Sequence, residues 1–153
     1  MTQPGDALPV QVLVAGSADG PVLALDEPLS FWGGLDPETG RITDARHPQA
    51  GCSVVGTVLF MPSSRGSSSS SSVLAEAIRL GTAPAAIVLG QVDVIVAVGA
   101  MVSSELYGRV CPVVVMEPPA YSRAAQSQTL KLEGCGKRPR AYLPRLPQRP
   151  PSG

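Results

Sequence analysis

The chain has 153 residues, of which 44% are apolar and 16% charged, so it carries enough apolar material for the core of one domain. Twelve basic and twelve acidic side chains cancel, which argues against a nucleic-acid or membrane surface. No apolar run reaches the roughly 18 residues of a membrane-spanning helix, and the N-terminus lacks the features of a signal peptide. We therefore expect a cytoplasmic protein.

The three cysteines, Cys52, Cys111 and Cys135, are an odd number at wide spacing and form no CxxC pair. Disulfide frameworks usually use an even set, and metal sites usually use closely spaced ligands. The sequence therefore predicts reduced thiols and no metal site made by this chain alone.

Two short apolar runs begin the chain, at residues 10–15 and 22–25, with a turn at 16–20 between them. Loosely alternating apolar residues on both sides of a glycine-containing turn are typical of a hairpin. We expect these two strands to pair with each other.

The next segment combines Phe31 and Trp32 with two glycines and a turn signal at residues 36–40. It is a structural hairpin with packed aromatic side chains, a loop that faces a ligand, or both. His47, the only histidine, precedes a proline, so a turn role is expected more than acid–base catalysis, although imidazole titrates in a suitable range.

The rest of the chain is organised around residues 61–81. A strand at 56–61 leads into a Pro-Ser-Ser-Arg-Gly loop, six serines at 67–72 and a helix at 73–80 closed by Gly81. The first amides of a helix lack partners and carry partial positive charge, so this junction suits a carboxylate or phosphate. The alternative interpretation is a serine-rich linker.

After this helix, the apolar run at 85–89 predicts a strand buried on both faces, which completes a right-handed strand–helix–strand unit. The run at 92–98 is followed by a loop or short helix at 99–108 and a buried strand at 111–116. Residues 126–133 predict an edge strand.

The composition changes at Gly134, after which the chain is rich in proline and arginine and has little to bury. We divide the chain into a domain at residues 1–133 and a disordered or extended tail at residues 134–153.

The serine loop offers the groups of an anion site. Gly66 lets the backbone approach a ligand, and Ser67 is the first hydroxyl after it. Ser68 and Ser69 can donate to an anionic substrate, and Arg65 is either a cation for that substrate or a solvated residue. One of the six serines is expected to serve only as N-cap.

The chain lacks a complete active site in its sequence. No Ser-His-Asp order is convincing with one proline-flanked histidine, and there is no GxxxxGK[ST] phosphate loop. A half-site that meets a second subunit explains this shortage better than a whole site.

The sequence closely resembles the small subunit of the aconitase X family over most of its length, about residues 10 to 116. The resemblance is carried by residues 28–40, His47-Pro48, residues 66–71, residues 83–87 and Gly99-Ala100. It implies an α/β fold, the swivelling β/β/α domain of the aconitase superfamily. It also implies a heteromer, in which this domain closes over an iron–sulfur cluster held by cysteines of a large subunit.

The resemblance also implies a role for the serine after the loop glycine, which in the superfamily abstracts the substrate proton. That residue is Ser67 here, following Gly66. Ordinary aconitases have Gly-Ser-Ser-Arg, whose arginine binds a substrate carboxylate. This chain has Ser69 at that place and carries Arg65 before the glycine instead.

Two activities belong to this family: dehydration of cis-3-hydroxy-L-proline to Δ1-pyrroline-2-carboxylate, and dehydration of (R)-5-phosphomevalonate to trans-anhydromevalonate 5-phosphate. The long serine run and the Phe31-Trp32 pair resemble the bacterial hydroxyproline enzymes more than the archaeal small subunits. The alternatives to a hydro-lyase subunit are a non-catalytic anion-binding domain and a structural domain whose serine run is only a linker.

Overall fold

A computed structural model describes residues 6–144. No helix in this part of the chain is long and apolar enough to cross a membrane. The strands are β1 (Ala7–Pro9), β2 (Gln11–Val14), β3 (Ser17–Ala24), β4 (Leu35–Asp36), β5 (Arg41–Ile42), β6 (Val58–Met61), β7 (Ala86–Leu89), β8 (Val113–Val115), β9 (Thr129–Glu133) and β10 (Arg140–Tyr142). The helices are the single turn α1 (Phe31–Gly34), α2 (Ser69–Leu80), α3 (Val94–Tyr107) and α4 (Ala120–Ala125).

Eight strands form one mixed sheet in the order β1-β10-β9-β3-β6-β7-β8-β2. The centre, β3-β6-β7-β8, is parallel, and the strands on either side of it are antiparallel to their neighbours. β4 and β5 pair separately around the turn at residues 36–40. The predicted turn is therefore confirmed.

The predicted strand–helix–strand unit is also confirmed, because β6 and β7 are parallel neighbours joined through α2. The side chains of β6 alternate between two buried faces. Leu59 and Met61 pack in a core with α2 and α3, whereas Val58 and Phe60 point into a second core. Burial on both faces explains why the strand is apolar throughout.

The second core lies between two layers of strands. The first half of β3 pairs with β9 and its second half pairs with β6, so this long strand belongs to both layers. Leu130 and Leu132 of β9 and Ala141 of β10 are buried in the same core as Val88 of β7. Two strand layers with helices outside one of them give the β/β/α arrangement that the resemblance implied.

The predicted hairpin between the first two strands is wrong. β2 pairs with β8 at one end of the sheet, and β3 lies between β9 and β6. Gly16 and Gly134 exchange backbone hydrogen bonds, so the chain turns toward β9 at this point instead of folding back on β2. Long-range pairing that buries both faces of the central strands outweighs the local turn signal.

Residues 94–107 form one helix, although the sequence suggested a loop or short helix after residue 98. Asp93 begins this helix and Gly108 ends it in a left-handed conformation. Gly99 is needed for packing, because a Cβ there would lie 2.8 Å from Ser71 O of α2. The glycine allows α2 and α3 to approach closely.

The boundary predicted at residue 133 is wrong for the segment that follows it. β9 is an interior strand and not an edge strand, and residues 140–142 form β10 between β9 and β1. The sequence did not predict this strand, because its segment is basic and rich in proline. Only Ala141 of the three strand residues is fully buried. The rest of the predicted tail, residues 145–153, lies outside the described residues.

We predict that Ala141→Asp lowers the free energy of unfolding by about 2–4 kcal/mol, because it places a carboxylate without a partner in the second core. Urea denaturation measures this change. Ala50→Asp, at an exposed turn position, is the control and should change stability by less than about 0.5 kcal/mol. Equal, small effects of both variants would mean that β10 is not part of the folded sheet.

Candidate active site

Three loops meet at one edge of the sheet. They are residues 25–34, 62–68 and 90–93, which follow the parallel strands β3, β6 and β7. The carboxyl ends of parallel neighbours lie at the same edge, and open α/β sheets bind ligands there. The strand order therefore brings the serine loop, residues 62–68, between the other two loops.

Backbone hydrogen bonds hold the serine loop from both sides. The Arg65 amide donates to Leu29 O at 3.1 Å, and the Gly90 amide donates to Pro62 O at 3.0 Å. These contacts connect the loop after β6 with those after β3 and β7. The position of the serine loop is thus determined by three strands and not by its own sequence.

Asp93 connects the serine loop to α3. Its carboxylate accepts hydrogen bonds from the hydroxyl and the amide of Ser64, the latter at 3.0 Å. It also accepts from the Val96 amide at 3.2 Å, so it is the N-cap of α3. A single carboxylate therefore joins the start of this helix to the loop.

These contacts change the acidity of Asp93. Partial burial raises its pKa, but the hydrogen bonds from Ser64, Val96 and Ile95 favour the charged form and together outweigh burial. The pKa of Asp93 is therefore lowered, and the carboxylate stays ionised at neutral pH.

Ser70 connects α2 to the segment that carries the aromatic pair. Its side chain is fully buried, and its Oγ accepts a hydrogen bond from the Trp32 amide at 3.3 Å. The same Oγ lies 3.4 Å from Ser30 Oγ and donates to Arg65 O at 3.5 Å. Ser70 is thus a structural member of the serine run.

The aromatic pair divides between the core and the surface. Phe31 is fully buried in the core under α2, whereas 65% of Trp32 is exposed. Gly33 follows with φ +77°, which turns the chain back toward the sheet. The structural alternative is therefore confirmed for Phe31, whose ring packs inside. A ligand-facing role of this segment stays a prediction.

Ser67, Ser68 and Ser69 are exposed at the start of α2, which begins at Ser69 instead of Val73. Ser67 Oγ accepts from the Ser69 amide at 3.4 Å. The amides of Gly66, Ser67 and Ser68 donate to no other residue within 6–144. Free amides at a helix start favour a bound anion, as the sequence predicted.

Gly66 is required by the geometry of the loop. Its φ is +111°, and an added Cβ would lie 2.7 Å from Ser30 Oγ and 2.8 Å from Ser70 Oγ. Any side chain here would push the loop and Ser67 outward. Arg65, on the other side of this glycine, is exposed and takes part in no ion pair among the described residues.

His47 lies in a turn that packs against the loop at residues 25–34. It is buried, its Nδ1 accepts from the Gln49 amide at 3.0 Å, and its Nε2 lies 3.0 Å from Glu27 O. These contacts support the structural role expected from the neighbouring proline.

The described residues do not fit an iron–sulfur cluster. Within 6–144, no group of three or more His, Cys, Asp or Glu side chains could hold a metal ion. Burial raises the pKa of the Cys111 thiol to about 12, whereas a thiol must lose its proton to bind a metal. Cys52 and Cys135 are exposed, and neither lies in a group of three potential metal ligands within residues 6–144.

Sequence reasoning missed four residues that build the site: Ser30, Ser64, Ser70 and Asp93. Asp93 had a usable signal, because an aspartate directly before an apolar run is typical of a helix N-cap. The serines had none, since their contacts span long distances in sequence. Ser64 is 29 residues from its partner and Ser70 is 38 residues from Trp32.

The sequence and the fold of this chain are similar to those of known proteins. The aconitase X swivel domain family matches residues 7–138. The chain belongs to this family. The resemblance seen in the sequence is therefore confirmed, and the domain that carries the serine loop is an aconitase X swivel domain.

Curated relatives of this swivel domain have two enzyme names. Cis-3-hydroxy-L-proline dehydratase of Pseudomonas aeruginosa is 48% identical over 103 residues, which are 67% of this chain and 18% of that protein. The phosphomevalonate dehydratase small subunit of Methanothermobacter thermautotrophicus is 44% identical over 93 residues, which are 61% of this chain and 71% of that protein. The chain thus spans less than a fifth of the Pseudomonas enzyme.

Solved structures share the fold. The crystal structure of Thermococcus kodakaraensis aconitase X (holo-form) matches with a TM-score of 0.75 and 32% identity, over 92% of this chain and 100% of that one. A UPF0107 protein solved by NMR in solution matches with the same TM-score at 28% identity. The swivelling α/β fold expected from the resemblance is confirmed.

We predict that Ser70→Ala lowers the free energy of unfolding by about 1–2 kcal/mol, because it leaves the Trp32 amide without its acceptor. Thermal unfolding measures the change, and hydrogen exchange should be faster at the Trp32 amide. Ser72→Ala is a matched control, since it makes the same change at an exposed position of α2. If the two variants are equally stable, Ser70 does not connect the two segments.

We predict that Asp93→Ala lowers stability by about 1–2 kcal/mol at pH 7, because α3 loses its N-cap and Ser64 loses its acceptor. The folded-state pKa of Asp93 lies below its unfolded value of about 3.9, so this stabilisation is complete above that pH and disappears as pH falls through the folded-state pKa. Denaturation of both proteins from pH 7 to pH 2 tests this. Glu105→Ala, on the exposed side of α3, should show no such pH-dependent difference.

Proposed function

We propose that this chain is the small subunit of a two-subunit dehydratase, in which it supplies the base and a large subunit supplies the rest of the active site. The observation that carries the proposal is the exposed Ser67 beside the free amides at the start of α2. This arrangement occurs in an aconitase X swivel domain, and relatives of that domain are named dehydratases.

Dehydration removes a proton from one carbon and a hydroxide from its neighbour. In our proposal Ser67 Oγ, as an alkoxide, takes the proton from the carbon next to the substrate carboxylate, and the electron pair of that C–H bond forms a C=C bond while the C–O bond on the neighbouring carbon breaks. The departing hydroxide takes a proton from an acid of the large subunit and leaves as water. With cis-3-hydroxy-L-proline this elimination gives the Δ2 enamine, which becomes Δ1-pyrroline-2-carboxylate when the ring N–H proton moves to carbon. The amides of Gly66 and Ser68 stabilise negative charge at this end of α2. The other groups in the serine loop are substrate-binding in this proposal: Gly66 by its close approach, Ser68 and Ser69 by their hydroxyls, and Arg65 by its charge.

We infer that the substrate is cis-3-hydroxy-L-proline, converted to Δ1-pyrroline-2-carboxylate. The proposal is supported by 48% and 42% identity to dehydratases of this name from Pseudomonas aeruginosa and Hypocrea jecorina. Trp32 is exposed, and its backbone amide is bonded to Ser70 at the start of α2; in this proposal its indole offers an apolar surface that suits a small ring better than a phosphate.

The second candidate is 5-phosphomevalonate. It is supported by how much of each relative's length this chain matches. The match covers 71% and 68% of two phosphomevalonate dehydratase small subunits, but only 18% of the Pseudomonas enzyme. The exposed Arg65 and the free amides of the serine loop also suit a phosphate group.

We place the iron–sulfur cluster that this family suggests in the large subunit, because residues 6–144 offer no ligand set for it. The names of the archaeal relatives support a partner of this kind, since a small subunit implies a large one. In this proposal the chain contributes the base and the anion-binding edge to a shared site.

We predict that Ser67→Ala lowers kcat by about 10²–10⁴-fold, because a positioned general base contributes an acceleration of this size. The measurement is dehydration of cis-3-hydroxy-L-proline by the two subunits, co-expressed and purified without oxygen. Ser72→Ala, an exposed serine one turn further into α2, is the matched control and should keep normal turnover.

Near-normal turnover of Ser67→Ala would exclude this serine as the base. Turnover of 5-phosphomevalonate alone would support the second candidate. An assembled wild-type complex that dehydrates neither substrate would leave a non-catalytic anion-binding domain as the better explanation.

A further inference from the structure

The outer α3 face is the most apolar exposed surface in the described part of the chain. It consists of Val94, Val98, Met101, Val102 and Leu106, which are between 40% and 67% exposed. At 3.6 residues per turn these positions fall on one side of the helix, opposite the buried Val96, Gly99, Ala100 and Ser103. The outer side of the helix is therefore apolar except for Glu105, which lies on it near Met101 and Val102.

An exposed helix usually carries charge on its outer side. α3 has 14 residues and a single charged one, Glu105. The exposed surface of α2, by contrast, carries the Glu76–Arg79 ion pair. A helix that is apolar all round is typical of one that is covered on both sides, and a continuous exposed apolar patch marks an interaction surface.

The outer α3 face is continuous with the candidate active site. Val92 and Val94, both more than half exposed, flank Asp93, whose carboxylate holds the serine loop. The first turns of α2 and α3 are also joined, because Ser71 Oγ donates to Ile95 O at 2.7 Å. A partner that completes the site over the serine loop therefore also reaches the start of α3.

The comparisons indicate which partner is available to this face. The swivel domain matches 18% of a single-chain dehydratase and about 70% of separate small subunits. These enzymes therefore have a further part besides this domain, either on the same chain or as a large subunit. A domain used in both ways needs a surface that binds the remainder without relying on a covalent link.

We propose that the outer α3 face is the surface on which this chain docks to its large subunit, through a complementary apolar surface next to that subunit's part of the active site. This inference rests on the proposed function for the identity of the partner. It adds the location of the interface and the side chains that form it. Docking along α3, about 21 Å long at 1.5 Å per residue, orients the serine loop toward the partner because Asp93 fixes the loop to the start of the helix.

The test is the affinity between the full chain and the large subunit of the same organism, chosen as the polypeptide that matches the remaining part of the Pseudomonas enzyme. Met101→Glu and Leu106→Glu place a charge on the outer α3 face and should each raise Kd at least about tenfold. Met101→Leu keeps the surface apolar and should bind normally. Val55→Glu makes the same kind of change at an exposed apolar residue outside α3 and is the control.

Thermal unfolding of each isolated variant should match that of the wild-type chain, because all these positions are exposed. Unchanged Kd and turnover for both glutamate variants would overturn the docking surface and leave the proposed function intact. A wild-type complex without turnover, still weakened by Met101→Glu, would support the docking surface and contradict the proposed function. The wild-type chain could instead sediment as a homodimer that Met101→Glu dissociates, without binding the large subunit. This result would assign the outer α3 face to a second copy of the chain and overturn the proposal.

Discussion

Parallel pairing of β3, β6 and β7 is the constraint on which the candidate site depends. Each of these strands ends at the same edge of the sheet, so the loops that follow them meet there although they are far apart in sequence. The serine loop has little apolar material of its own. Its shape is determined by β6, which precedes it, and by backbone hydrogen bonds to the loops after β3 and β7.

Buried and partly buried polar side chains then hold these loops in place. Ser70 accepts the Trp32 amide in a fully buried position, and Asp93 accepts Ser64 while it caps α3. A buried donor without an acceptor costs more than a typical hydrogen bond contributes, so these few contacts restrict the loop more strongly than their number suggests. The same contacts leave Ser67 and the neighbouring amides free at the surface, where a substrate can reach them.

In our proposal the molecule supplies one half of a site. The base candidate and the anion-binding amides are exposed, whereas the described residues offer no ligand set for the metal cluster that the family suggests. The apolar side of α3 lies next to these groups and extends away from them. In our proposal this surface binds the rest of the enzyme, which is the remainder of a longer chain in some relatives and a separate subunit in others.

The sequence by itself determined the strand–helix–strand unit, the turn at residues 36–40, the glycine before Ser67 and the family, because each depends on residues close together in the chain or on a recognisable motif. Only the tertiary structure decided the partners of β2 and β3, the continuity of α3 past Gly99, the place of β10 in the sheet and the roles of Ser70 and Asp93. Those features depend on contacts between distant segments, where burial of apolar faces and of hydrogen-bonded groups outweighs local turn and composition signals. Ala141 shows the difference most clearly, since a single small residue in a basic, proline-rich segment carries no sequence signal and yet fills the core between the two strand layers.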